Sequence, residues 1–429
     1  MSPRSLHLNV FLFACGHHRA AWRAPDSSVD QLGDIRYYEA IAQTAERGKL
    51  DAIFLADGHS AEHLEDGPRW FLEPLTTLTA IARATERIGL IGTVSSTFYS
   101  PFHAARLLAS LDHISHGRLG WNVVTSMFDA EARNHGYAAM PDHAQRYARA
   151  EEFVTVAKAL WDSWEADALL GDRAGRYADP GRVHAIHHHG DFFRVDGPLT
   201  VPRPPQGRPV LFQAGASPQG RDFAARHAEA IYAVAHDLPA AQAYYQDIQR
   251  RVGAAGRADT VPIMPGLVTY VAAGQAEARA KQQALDALLP VAASLRQLES
   301  FIFQDCGDWP LDEAVPPLPA LADFPGPKGR YATILRIIET EQPTVRQLLG
   351  RLAAGGGHCT VVGTPDQIAD HIEHWFVQRG ADGFNLMPPS LPHSLDDFIE
   401  QVVPILQRRG LFRREYRGRT LRSHLGLDE

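Results

Sequence analysis

A chain of 429 residues, 45% hydrophobic and 21% charged, has the balance of a globular protein and the length to bury a large core. Its formal net charge of −8, without any basic run, argues against nucleic acid as a partner. Three scattered cysteines (Cys15, Cys306, Cys359) argue against a disulfide framework or a zinc site and suit a cytoplasmic location, and no apolar run is long enough to span a membrane.

The opening "MSPRSLHLNVFLFACG" sets a basic residue before an apolar stretch, as leader peptides do, but the stretch is short and broken by His7 and Asn9. It reads instead as a first strand, "LHLNVFLFA" (6–14), followed by an amphipathic helix over 33–49. The alternation then continues: strand 51–57 and helix 73–87, strand 88–97 and helix 101–115, strand 118–126 and helix 142–164. After an interruption come strand 209–215 and helix 217–228, strand 230–235 and helix 240–252, strand 263–272 and helix 275–289. The last pair is strand 380–388 and helix 394–410.

Near-continuous apolar strands, each followed by a helix, imply a parallel sheet with both faces covered. Eight pairs predict an α/β fold closed as a (β/α)8 TIM barrel, one domain over 1–429. Two stretches lie outside the pattern. Residues 165–208 contain "HAIHHHGDFFRVDGPL", which predicts a small hairpin, and the Pro-rich 291–345 predicts a mobile lid.

In such a barrel the chemistry gathers at C-terminal strand ends. The candidates there are Cys15, Gly16, His17 and His18 from strand 1, and Asp57, Gly58 and His59 from strand 2. Thr93, Ser95, Ser96 and Thr97 follow from strand 3, Asn122 and Thr125 with His135 beyond from strand 4, and Gln213, Gly215 and Ser217 from strand 5. The chain has 21 histidines, yet a metal hydrolase is disfavoured: His17 and His18 are adjacent and would face opposite sides of a strand, and HExxH is absent. The "HHH" at 187–189 lies in the insertion, away from the strand ends.

Two helix starts point to an anion. In "QAGASPQGRDFAARHA" (213–228), Ser217 suits an N-cap and Pro218 a first helical turn, while Gly215 and Gly220 let a ligand approach the backbone. In "MPDHAQRYARAEEF", Asp142 has Gln145 at capping-box spacing, and His143 and Tyr147 share one helical face. No GxGxxG or P-loop follows any strand.

Several longer motifs carry a resemblance: "GHHRAAWR", "LAD" (55–57), "GWNVVTS" (120–126), "RYARAEEF" (146–153), "FQAGASPQGRDFAARHAE" (212–229), "GFNLMPP" (383–389) and the terminal "PILQRRGLFRREYRGRTLRSHLGL". In this order they resemble the bacterial luciferase-like superfamily, and more narrowly its nitrilotriacetate and dibenzothiophene-sulfone monooxygenase branch. The resemblance implies a (β/α)8 barrel that takes reduced FMN (FMNH2) from a separate NAD(P)H:flavin reductase. With O2, through a flavin C4a-(hydro)peroxide, it would oxygenate a small xenobiotic, organosulfur or aminopolycarboxylate substrate. A homodimer or homotetramer is also implied.

Carried over by position, Asp57, Thr93 and Asn122 lie by the flavin ring, and His143, Tyr147, Ala216 and Ser217 by its phosphate. His17, His18 and Asn122 are the catalytic candidates: the loop after strand 1 faces the reactive flavin edge, and a histidine titrating near neutrality supplies a proton or binds the oxygen adduct. His18 or Arg19 would fix that loop. Related alkane oxygenases place a further histidine where Met127 stands here, which leaves His59 and His135 as substitutes or as packed groups. Competing expectations are a deazaflavin-dependent oxidoreductase on the same fold and a non-catalytic flavin-binding protein.

Overall fold

The structure is a computed structural model that describes residues 4–61, 64–69, 71–326 and 328–427. Its first half contains β1 (His7–Phe11), α1 (Ile35–Arg47), β2 (Ala52–Leu55), α2 (Pro74–Ala84), β3 (Gly89–Ser95), α3 (Pro101–Ile114), β4 (Leu119–Val124), the short α4 (Asp129–Asn134) and α5 (His143–Asp162). A hairpin of β5 (His188–His189) and β6 (Arg194–Val195) precedes β7 (Val210–Gln213), α6 (Pro218–His227), β8 (Ala230–Ala233), α7 (Leu238–Ala254), β9 (Ile263–Val271) and α8 (Gln275–Asp286). The chain continues through α9 (Val291–Ile302), α10 (Lys328–Glu341), α11 (Val345–Ala353), β10 (Cys359–Gly363), α12 (Pro365–Val377), β11 (Gly383–Leu386), α13 (His393–Asp397), α14 (Val403–Arg408) and α15 (Leu421–His424).

Eight parallel strands close on themselves in the order β1, β2, β3, β4, β7, β8, β9 and β11, with β11 returning to β1. This is the (β/α)8 barrel that the alternation predicts. The strands are buried nearly throughout, as a parallel barrel between its packed interior and its outer helices requires. Inside, Tyr232 lies between Phe54 and Phe212, with centroids 4.7 and 5.3 Å away, beside Ile91 and Met264. Gly120 makes room for this filling: a Cβ there would lie 2.9 Å from both Ile91 and Phe212. From below, Leu421 and Leu425 of the terminal segment plug the barrel.

Three regions depart from the sequence reading. The sequence predicts no element between 346 and 379, yet β10 adds a ninth strand, Cys359–Gly363 pairing with Leu267–Val271 on the upper half of β9, and α12 follows it. The helix expected over 394–410 is divided into α13, a π-helical turn at Phe398–Val402, and α14. Pro404 accounts for this: it has no N–H to donate and its ring crowds the preceding turn. The Pro-rich segment 291–345 is helical at both ends, and α9, α10 and α11 share a core of Leu298, Ile302, Tyr331, Ile334, Ile337, Val345 and Leu348. Among the described residues, no helix is long and apolar enough to cross a membrane.

Candidate active site at the mouth of the barrel

The starts of α5 and α6 meet beside the ends of β4 and β7. Asp142 caps α5 by accepting from the Gln145 amide at 2.9 Å, which sets His143 and Tyr147 on adjacent turns with ring centroids 4.9 Å apart. Ser217 caps α6, its Oγ accepting from the Gly220 amide at 3.0 Å, with Pro218 in the first turn. A Cβ on Gly220 would lie 2.7 Å from the Tyr147 hydroxyl, 2.9 Å from Gly215 Cα and 3.2 Å from Ser217 Oγ. Residue 220 must therefore be glycine for this hydroxyl-lined cradle to exist. Two helix N-termini, two hydroxyls and the His143 imidazole make it suited to an oxyanion. Ala216 is exposed on its rim, its carbonyl accepting from Arg221 at 3.0 Å.

Toward the barrel axis, the Asn122 amide donates to the Thr93 hydroxyl at 3.0 Å, and its Oδ1 is buried without a hydrogen-bond partner. Asn9 and Asn385 face each other in register on β1 and β11, and their Oδ1 atoms are likewise unpartnered. Asn9 donates to the Tyr232 hydroxyl at 3.1 Å. Buried, unpaired acceptors are costly unless a ligand satisfies them, so these atoms mark where a donor-bearing ligand fits.

On the β1 side, His17 stacks on Phe13 with centroids 5.3 Å apart and meets Phe11 edge-on at 4.4 Å, and its Nε2–H donates to the Phe11 carbonyl at 3.1 Å. Burial lowers its pKa to about 4, so it is a neutral imidazole at physiological pH. His18 turns away to bond Asp286 at 3.0 Å and accept from the Ala20 amide, while Arg19 reaches Gln297 at 2.6 Å and Asp66 at 3.2 Å. These two residues tie the loop to α8, α9 and the 64–66 turn. His17 alone of the three is held by its own strand end.

At the end of β2, Asp57 accepts from His59 Nε2 at 3.0 Å, and His59 Nδ1 lies 2.8 Å from His135 Nε2. Phe98 stacks flat on His135 at 4.2 Å. The bond to Asp57 outweighs partial burial and raises the His59 pKa, whereas burial and the His59 charge lower that of His135. His59 is thus the stronger base of the two, with its Nε2–H donating to Asp57. Met127, in contrast, is exposed and offers no acid–base group. In the insertion, His188 bonds Glu152 at 2.9 Å and braces the hairpin against α5.

The sequence reading missed one group at the mouth. His358, just before β10, lies over Gly266 of β9, where a Cβ would come 2.3 Å from its Nδ1. That nitrogen is buried without a partner. Burial, with the charge of Arg330, lowers the His358 pKa to about 3. The signal available was the run "GGGHC", in which Gly355, Gly356 and Gly357 all adopt positive φ.

A closed parallel barrel with an oxyanion cradle, unpaired axial acceptors and histidines at its C-terminal mouth defines a (β/α)8 enzyme. The family model for luciferase-like monooxygenase matches residues 9–383, and the chain belongs to that family of flavin-dependent monooxygenases. It is 43% identical over 431 residues to the N-acetyl-S-(2-succino)cysteine monooxygenase of Bacillus subtilis (strain 168), covering 99% of this chain and 97% of that protein. It is 44% identical over 441 residues to nitrilotriacetate monooxygenase component A of Aminobacter aminovorans, with the same coverage of 99% and 97%. Among solved structures, a riboflavin lyase with modified FMN and riboflavin superposes with a TM-score of 0.85 at 32% identity, over 98% of this chain and 95% of that one.

Proposed function

We propose that the protein is the oxygenating component of a two-component system, using O2 and FMNH2 from a separate NAD(P)H:flavin reductase to oxygenate a small organic substrate. The observation that carries this reading is the cradle of Tyr147, Ser217, Gly215 and Gly220, which fits a terminal phosphate. Asn122, with its free Oδ1, fits a ring N–H of the same ligand, held in place by Thr93. The relative designated component A, and the riboflavin lyase solved with modified FMN, support the partner and the cofactor.

Bound reduced flavin supplies the electrons that activate O2; the chain binds, orients, dries the site and handles protons. His143, Tyr147 and Ser217 hold the phosphate, and Asn122 and Thr93 orient the ring end. Phe11 and Phe13 keep water from the β1 edge, and α9–α11 with the loop between them act as a lid. His17, with its N–H committed to Phe11, presents a neutral ring there. His59 keeps a proton at Nε2 on Asp57, replenished through His135 at the surface.

The decisive experiment measures O2 uptake and product with purified protein, FMN and NAD(P)H, with and without a flavin reductase. Turnover is expected only with the reductase, because no dinucleotide fingerprint is present to bind a nicotinamide donor. Stoichiometric FMN reduced directly by NADH would refute the two-component reading.

A further inference from the structure

Arginines of the α9–α11 region are consistently neutralised by carboxylates. Arg296 pairs with Asp66 at 3.3 Å, Arg336 with Asp237 at 2.7 Å, Arg346 with Asp312 at 2.7 Å and Arg351 with Glu341 at 2.9 Å. Arg330 breaks this pattern. Among the described residues it has one hydrogen-bond acceptor, the Gly356 carbonyl at 3.0 Å from Nη1, and no carboxylate. Its guanidinium stacks on Phe301, 4.6 Å from the ring centroid.

The side chain is accessible to solvent, yet enough protein surrounds it for desolvation alone to lower its pKa. Phe301 covers one face of the cation and the Gly356 carbonyl takes one edge, while the rest stays open to solvent. The guanidinium adjoins the mouth through the glycine run: Arg330 Nη1 bonds Gly356, two residues before His358, whose unpartnered Nδ1 faces Gly266 of β9. The three glycines make this approach possible, since a Cβ on Gly356 would overlap Arg330 Nη1 and the positive φ of all three positions disfavours side chains.

With Nη1 anchored to a carbonyl and one face on an aromatic ring, the remaining guanidinium edge is a preorganised fork without an acceptor among the described residues. Such a fork matches a carboxylate bidentately. An unpaired, partly desolvated cation is costly to maintain in the resting protein, and an incoming anion offsets that cost. The aromatic wall beside it is Phe301, and His358 is kept neutral by burial, so neither supplies a competing anion.

We propose that the substrate is an organic acid whose carboxylate is held by the free edge of Arg330, with its apolar part directed toward His358 and His17. This rests on the monooxygenase reading only in taking the mouth as the substrate site. Arg330 would then be a specificity-determining residue, remote from the flavin phosphate cradle on α5 and α6.

The test is direct binding to the full chain saturated with FMN, using phenylacetate and its neutral analogue phenylacetamide as probes, by calorimetry or saturation-transfer NMR. Wild type is expected to bind the acid at least about tenfold more tightly than the amide, as one charge-assisted fork predicts. Arg330→Gln should erase that preference, and Arg330→Lys should keep part of it, with melting temperature and FMN affinity unchanged in both. An absent preference in wild type, or one that survives in Arg330→Gln, overturns the proposal. FMN titration is read separately, so loss of flavin binding with an intact acid preference would count against the monooxygenase reading and not against this one.

Discussion

Tyr147→Phe removes one oxygen from the cradle and leaves its walls standing. The ring packs edge-on against Phe223 with centroids 5.9 Å apart, a contact that phenylalanine retains, so the fold should be unaffected. A hydrogen bond to a charged group contributes about 1.5–3 kcal/mol, and about 1.4 kcal/mol is tenfold in affinity. The Kd for FMN should therefore rise roughly 10- to 150-fold, with His143→Ala acting in the same direction. Gly220→Ala provides a second perturbation by an opposite route: every donor stays, but the new methyl, 2.7 Å from the Tyr147 hydroxyl and 2.9 Å from Gly215 Cα, occupies the space an oxyanion needs. Both substitutions should be read by flavin fluorescence titration with FMN and, in parallel, with riboflavin, which has no phosphate. FMN binding should fall in each variant while riboflavin binding barely changes. If the two flavins weaken equally, the cradle holds something other than a phosphate and the assignment of Tyr147, Ser217 and Gly220 fails.

His17→Ala should leave FMN affinity nearly unchanged, lower product, and raise hydrogen peroxide per O2 consumed; weaker FMN binding with normal coupling would assign His17 to the cofactor instead. Because the His59 pKa is raised above its usual 6.5, chiefly by Asp57, its proton is held in full below that value and lost as pH rises through the folded-state pKa. Coupled product formation should accordingly decline on the alkaline side, and His59→Gln should flatten that limb; an identical pH profile in the variant would remove His59 from the proton path. Limited proteolysis should cut first in the loop between α9 and α10, with reduced FMN plus substrate slowing the cut, and equal rates with and without ligand would count against a closing lid.

The eight barrel strands were legible because each is a short apolar run that a parallel sheet buries on both faces, a property of the residues themselves. β10 was not, although "HCTVVG" is apolar enough. Its Thr360, Val361 and Val362 are only partly buried, and it pairs only with the extended upper half of β9. A local signal did exist for α12, where Thr364 and Gln367 form a complete capping box. In the 291–345 segment the prolines cluster between α9 and α10, and that run obscured both helices, whose core, shared with α11, joins residues as distant as Leu298 and Leu348.

The two ends of the candidate site differ in the same way. The cradle is assembled from helix starts, and capping chemistry is written within a few residues: Asp142 with Gln145, Ser217 with Gly220. Only the meeting of Tyr147 with Gly220 needed the fold. The opposite end has no local signature. Asn9 and Asn385 are paired by closure of the barrel, across the register of its first and last strands. His358 is exceptional only because its Nδ1 faces Gly266 without a partner, and Arg330 only because its neighbours on the same helices have carboxylates and it has none among the described residues. A missing partner cannot be read from a residue's own identity, because an arginine in sequence looks the same whether or not an aspartate reaches it. The groups that bind a cofactor common to a family can thus sit in recognisable segments, while those that choose a substrate are defined by what the rest of the chain leaves unpaired.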